Sequence, residues 1–401
     1  MRPRIYADHA ATTPTRPEVV EAMHAYLRDG AYNPSSLHAE GRRAKASLDD
    51  ARERVAHVLG AKPREIVFTG SGSEADNLAL RGAARALRGR GRRIVSSAGE
   101  HHAVLHALDA LADEGYAITL LPVDRDGLVD LAAFAAALEP GTVLASIMLA
   151  NNELGSVAPV RELAAAARAR GVVFHTDAIQ AAGRLPLDVA ALGVDLLSLS
   201  AHKCYGPHGV GALYVREGTP LSGLIAGGSQ ESGLRAGTEN VAGIVGFAAA
   251  LELAAVELAL ESARLTALRD RFEETLAKRI PGLRVNAAGA PRLPNLSSIT
   301  VPGLDATALA IRLDLEGVAV STGSACASGA AEPSHVLRAA GIAQAASTLR
   351  FSFGRATGRQ EVDALLEMLP EVVASVRVEA ASVGTNEPAR GRAARRDSLD
   401  S

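Results

Sequence analysis

The chain has 401 residues, 48% of them apolar, and 42 Lys and Arg against 45 Asp and Glu leave a formal net charge of −3. That balance, with 3% aromatic residues and no Trp, excludes a strong electrostatic footprint or a base-stacking platform for nucleic acid. Two cysteines exclude a disulfide framework, and the most apolar stretch, 241–251, is about half the length of a membrane span. With a polar N-terminal segment lacking a signal core, the expectation is a soluble, cytoplasmic chain of two domains, with no membrane and no direct nucleic-acid partner.

In chain order, short apolar β-branched runs at 65–69, 93–97, 117–122, 143–149, 172–176 and 194–200 predict strands. Ala/Leu-rich segments between them, such as 131–138 and 160–170, predict helices. This alternation implies an α/β fold with a mostly parallel, doubly covered sheet, whose ligand crevice lies at the carboxyl ends of the strands. Residues 240–280 predict a long helix, interrupted near Ser262 and ended by Pro281-Gly282. Beyond it, strands at 297–301, 318–321 and 348–352 mix with helices at 306–315 and 334–340, an α+β pattern. The expected division is a large domain at 15–260 and a smaller one from 1–14 with 261–383. Residues 384–401 are aperiodic and rich in Arg, Ser and Gly, which predicts a disordered tail.

Three short segments carry chemistry. Thr69-Gly70-Ser71-Gly72-Ser73-Glu74 follows a strand and opens a helix, where backbone N–H groups and the Ser73 hydroxyl can hold a phosphate. It is neither a P-loop nor a dinucleotide fingerprint, and taken alone it reads more readily as the start of an ordinary capped helix than as a phosphate site. The strand 172–176 delivers Asp177, with Gln180 three residues on; alone, this Asp reads as a helix cap. The next strand runs into Ser200-Ala201-His202-Lys203. One crossover separates the two strands, so Asp177 and Lys203 should share a crevice. A phosphate cradle, an Asp for a pyridine nitrogen and a Lys able to form a Schiff base together fit pyridoxal 5′-phosphate (PLP).

The set SGSEADN, EHHAVL, NNELG, HTDAIQ, SAHKCYGP, RAGTENV, STGSACASG and LRFSFGR resembles, in order and spacing, the NifS/IscS-type cysteine desulfurases over about residues 5–370. These are fold-type I, class-V-aminotransferase-like PLP enzymes with a large domain and a smaller α+β domain. The resemblance implies that Lys203 forms the Schiff base, Asp177 pairs with the pyridinium nitrogen and Gln180 bonds the phenolic oxygen. His101 would stack on the ring and shuttle a proton. Gly72, Ser73, Ser200 and His202 would form the phosphate site, joined by Thr238 from a second subunit of a homodimer. Arg350, Asn33 and Asn152 would bind the substrate carboxylate, Asn152 also lying against the cofactor. Ser73 stands where the family usually has Thr, which keeps the hydroxyl.

Cys326 lies in a run of small residues, Ser321 to Gly329, between a strand and a helix, and the resemblance makes it the sulfur nucleophile. Cys204, next to Lys203, reads as a packed thiol. His101, His102 and His106 do not put three ligands on one helical face, so no metal is expected. The implied reaction takes sulfur from L-cysteine, gives L-alanine and leaves a persulfide for an acceptor protein in iron–sulfur assembly or in tRNA or DNA thiolation. The rival readings are a selenocysteine lyase or other class-V aminotransferase and, from another class, a non-catalytic sulfur-transfer scaffold.

Overall fold

The computed structural model describes residues 4–28, 32–322 and 334–384. Its strands in chain order are β1 (Ile5–Tyr6), β2 (Ile66–Thr69), β3 (Arg93–Ser97), β4 (Ala117–Leu121), β5 (Thr142–Ser146), β6 (Val173–Asp177) and β7 (Leu196–Ser200). There follow β8 (Gly211–Val215), β9 (Arg284–Val285), β10 (Leu296–Thr300), β11 (Val318–Ala319), β12 (Ser321–Thr322) and β13 (Thr348–Ser352). The main sheet has seven strands in the order β2-β8-β7-β6-β5-β3-β4. From β4 to β7 every pairing is parallel, while β8 runs antiparallel to both neighbours. All residues of β5, β6 and β7 are buried, because helices cover both faces. The edge strand β4 keeps only Leu121 buried.

A second sheet, β12-β13-β10-β9, is antiparallel, and β1 pairs with β11 in a separate two-stranded ribbon. Two findings correct the sequence reading. The single strand expected at 318–321 is two: β11 turns to β1, and β12 turns to β13. The helix Val241–Arg279 is also unbroken at Ser262. There the serine's Oγ donates sideways to the Arg184 carbonyl at 3.1 Å, leaving the helix ladder intact. This helix is the one among the described residues long and apolar enough to cross a membrane, but it is a core helix. Its first half packs Ile244, Phe247 and Leu251 into the main core, and its second half packs Leu268, Phe272 and Leu276 into a second core with Phe351 and Leu365.

Three long helices carried no clear signal in the sequence. Pro17–Arg28 and Ala39–Leu59 lie against the first half of the core helix, and Arg359–Gly384 joins the second core despite Pro370. That last helix takes in Gly384, the first residue of the expected tail. Residues 385–401 lie outside the described residues.

Candidate active site

The carboxyl ends of the parallel strands converge on a cavity of about 330 Å³. The segment after β3 supplies His101, that after β5 Met148, Ala150 and Asn152, β6 Asp177 and Gln180, and β7 Ser200, His202 and Lys203. Gly72 and Ser73 enter from the turn after β2, and Arg350 reaches in from β13 of the second sheet. A Cβ on Gly72 would collide with Ile179 Cδ1 and stand 3.1 Å from Ser200 Cβ, so this wall tolerates only glycine without shifting. In the turn, Ser71 caps the helix by accepting the Glu74 N–H at 3.1 Å, which leaves the Ser73 hydroxyl out of the capping role.

Lys203 follows β7 in a tight turn. Its Nζ donates to the carbonyls of Ala10 and Ala11 at 2.7 and 2.6 Å. Gln180 Nε2 donates to the same Ala10 carbonyl at 2.9 Å. Asp177 Oδ1 accepts the Ile179 N–H at 2.8 Å. Burial nevertheless pushes the Asp177 carboxyl up to about 6, against the opposing pull of that hydrogen bond and of Lys203.

His101 caps the helix His102–Asp113, its Nδ1 accepting the Ala103 N–H at 3.1 Å. An accepting Nδ1 leaves the ring proton on Nε2. Burial first, then Lys203 and the histidines around it, push its pKa down to about 4, so the ring is neutral near pH 7. His202 is also pushed down to about 4, by burial, Lys203 and His208, and its Nδ1 lies 3.1 Å from Thr12 Oγ1.

Arg350 is buried and doubly held: Nη1 donates to the Asn152 carbonyl and Nη2 to Asp8 Oδ1, both at 2.9 Å. Three buried polar atoms on residues of the cavity wall find no partner among the described residues: Gln180 Oε1, Asn152 Oδ1 and Arg350 Nε. Such atoms are costly unless a polar ligand meets them. A wall that combines a carboxyl, an amide, a lysine, hydroxyls and a guanidinium fits PLP and an amino-acid carboxylate.

Two expected site residues lie elsewhere. Asn33 is exposed, its Oδ1 accepting the Ser35 N–H at 2.9 Å, and it does not line the cavity. Thr238 is exposed and lines no part of it either. Cys326 lies outside the described residues. Sequence reasoning missed Asp8, Ala10, Ala11, Ser71, Met148, Ala150 and Ile179, which contribute backbone groups, packing or a second partner rather than a reactive side chain.

The model of the aminotransferase class-V family matches residues 5–365. Cysteine desulfurase IscS of Dictyoglomus turgidum is 47% identical over 379 residues, 94% of this chain and 96% of that protein. Cysteine desulfurase IscS of Methanosarcina thermophila is 44% identical over 375 residues, 93% of each. Among solved structures, a NifS-like protein superimposes with a TM-score of 0.87 at 36% identity, covering 93% of this chain and 100% of that one. A cavity at the strand ends lined by Lys203, Asp177 and Arg350, the matching family model and relatives at this identity converge: the chain belongs to the class-V aminotransferase family and, within it, to the PLP-dependent cysteine desulfurases.

Proposed function

We propose that the protein removes sulfur from L-cysteine, releases L-alanine and holds the sulfur as a persulfide on Cys326 for transfer to an acceptor protein. The observation that carries this reading is the convergence of Lys203, Asp177, Gln180, His101 and Arg350 on one cavity. Pyridoxal phosphate bound there supplies an electron sink for charge developing at the substrate Cα. Ser73, Ser200 and His202 hold its phosphate, with Thr238 of a second subunit, and Asp177 and Gln180 hold its ring.

Arg350 and Asn152 orient the substrate carboxylate. Lys203, whose Nζ donates to the carbonyls of Ala10 and Ala11, would hold the cofactor covalently and would carry the substrate Cα proton. His101 meets the site with a neutral ring whose Nε2–H can donate a hydrogen bond to a ligand in the cavity. The Cys326 thiolate attacks the substrate sulfur: a sulfur–sulfur bond forms, the carbon–sulfur bond breaks, and its electron pair stays with the carbon fragment, which is protonated to alanine.

The reading extends to a cytoplasmic homodimer feeding iron–sulfur assembly or a thiolation enzyme. The test is to incubate purified, PLP-loaded protein with L-cysteine and measure alanine and protein-bound persulfide together. Equimolar alanine and persulfide in a single turnover support it. Pyruvate without persulfide would sink it in favour of a simple lyase.

A further inference from the structure

Below the cavity floor the main sheet carries polar side chains where its burial calls for hydrocarbon. Ser96 on β3, Ser146 on β5, His175 on β6 and Ser198 on β7 are all fully buried. Ser96 is the register partner of Ser146, Ser146 of His175, and Ser198 of Asp177. His175 therefore faces the same side of the sheet as Asp177, two residues on. Its Nδ1 lies 2.9 Å from Ser146 Oγ, and its Nε2 lies 2.9 Å from Ser198 Oγ.

Asp76, on the helix Gly72–Asn77 that opens from the glycine-rich turn, comes down onto this row. Its Oδ1 is 3.7 Å from His175 Nε2, and both groups are sealed from solvent. Among the described residues, neither carboxyl oxygen of Asp76 finds a partner of good hydrogen-bond geometry. Burial holds its proton on well above the usual carboxylate range, and the charges of Asp177 and Glu100 act in the same sense; the Ser198 hydroxyl beside it offsets only part of this. His175 cannot supply the balancing cation, because burial pushes it down to about 3. Lys203 is the cation that acts on Asp177. Two buried carboxyl groups thus act on each other, and among the described residues the inner one has no ion-pair cation of its own.

We propose that Asp76 is a positioning residue that acts through Asp177 to keep the cofactor's ring nitrogen protonated. This rests on the PLP reading of the cavity. In the free protein Asp76 keeps its proton, since a second buried carboxylate behind Asp177 would be repelled. A ring N–H⁺ seated on Asp177 supplies the missing positive charge, and Asp76 can then ionise. One O–H bond breaks, its proton leaves past Asp177 to cavity water, and no electrons change hands. The two carboxylates then bias the ring nitrogen toward its protonated form, with His175 and the three serines fixing the geometry.

The test uses Asp76→Asn, which keeps the shape and removes the charge. In protein loaded with PLP labelled with ¹⁵N in the ring, the nitrogen should lose its proton about one pH unit lower in the variant than in the parent, a roughly tenfold drop in basicity. The variant apoprotein should also bind PLP more weakly, yet bind an analogue with C–H in place of the ring nitrogen as well as the parent does. Equal weakening for both, or an unmoved ring-nitrogen titration, would overturn the proposal and leave Asp76 a merely structural contact.

Should the variant fail to fold, infrared difference spectra of the parent decide. Loading with PLP should remove the band of one buried protonated carboxyl, and an unchanged band count would overturn the proposal. Failure of the PLP reading looks different: the parent itself would form no lysine-linked chromophore.

Discussion

Arg350 Nη2 donates to Asp8 Oδ1 at 2.9 Å, across a sequence separation of 342 residues. The guanidinium assigned to the substrate carboxylate is therefore already oriented by a carboxylate from the other end of the chain, and by the Asn152 carbonyl on its other nitrogen. Planar, forked geometry is what both neighbours exploit, and Lys cannot reproduce it. Hydrogen bonds to charged groups are worth roughly 1.5–3 kcal/mol each. Arg350→Lys should keep PLP and lower kcat/KM for cysteine by at least about tenfold. Steady-state kinetics with unchanged values would show that the carboxylate is held elsewhere.

Lys203→Ala should abolish covalent PLP and leave the fold largely intact, since the side chain is half-buried and bonded mainly to the Ala10 and Ala11 carbonyls. The check is the absorbance of protein denatured and desalted after incubation with PLP. A chromophore that stays with the chain would assign the Schiff base to another lysine.

Cys326→Ser and Cys204→Ala should part company. With the serine, PLP should still bind and cysteine should still change the spectrum, but persulfide and alanine should fall to background, because a hydroxyl is a poor nucleophile toward sulfur. Cys204 is sealed in the core, its Sγ donating to the Ala201 carbonyl at 3.3 Å, and burial pushes its thiol up to about 12. Cys204→Ala should retain activity and lose about 1–2 kcal/mol of stability from the small cavity. Normal alanine production by Cys326→Ser would make that residue a bystander.

Glu100 gives a pH-dependent outcome. Fully buried, it accepts from Ser97 Oγ at 2.8 Å and from the Met148 N–H at 3.0 Å through the same oxygen, Oε1, while Oε2 has no partner among the described residues. Burial raises its pKa from 4.5 to about 8. The folded value exceeds the unfolded one, so the stability this proton confers is complete below about pH 4.5 and is lost as pH climbs through about 8. Glu100→Gln preserves the acceptor and cannot ionise. Thermal midpoints should show it more stable than the parent near the top of this window, by roughly 4 kcal/mol, and no more stable at the bottom. Equal gains at both ends would tie the effect to packing instead of ionisation.

Thr238→Val, if the threonine serves a neighbouring subunit's phosphate, should weaken PLP binding and activity while the same chain's Lys203 remains intact. Mixed with Lys203→Ala under conditions of subunit exchange, it should regain activity in heterodimers with one intact site. No recovery would mean that each chain builds its site alone.

What the sequence made legible followed residue type and order. Parallel strands showed as β-branched runs, and Asp177, Gln180, Ser200, His202 and Lys203 stood where such runs end. The long helices 17–28 and 39–59 were harder, because the second is polar on average and what it buries is mostly small: Gly41, Ala44, Ala51 and Ala56 beside Leu48, Val55 and Leu59. The division of 318–321 between two sheets depends on which strand each half meets, and no local pattern encodes that. Ala10 and Ala11 act through carbonyl oxygens, which every residue has, so their side chains gave no sign of it. Asp76 and His175 did leave a trace. A histidine inside an otherwise sealed strand and an acid in a helix that should bury alanine and leucine are departures from pattern, and both sit next to the cavity.

The pairing of the two chain ends also fixes an order of assembly. Residues 5–8 meet Val318, Ala319, Arg350 and Ser352, so their partners are synthesised more than 300 residues after them. On a ribosome adding roughly 5–20 residues per second, that is a wait of about 15–70 s. For that interval the segment carrying the Ala10 and Ala11 carbonyls is held by Gln180, Arg184 and His202 but lacks its bond to Ser352. A nascent chain that has already completed the main sheet would thus lack Arg350 and the Ser352 anchor, and the cavity wall would close only once residues 350–352 have been made.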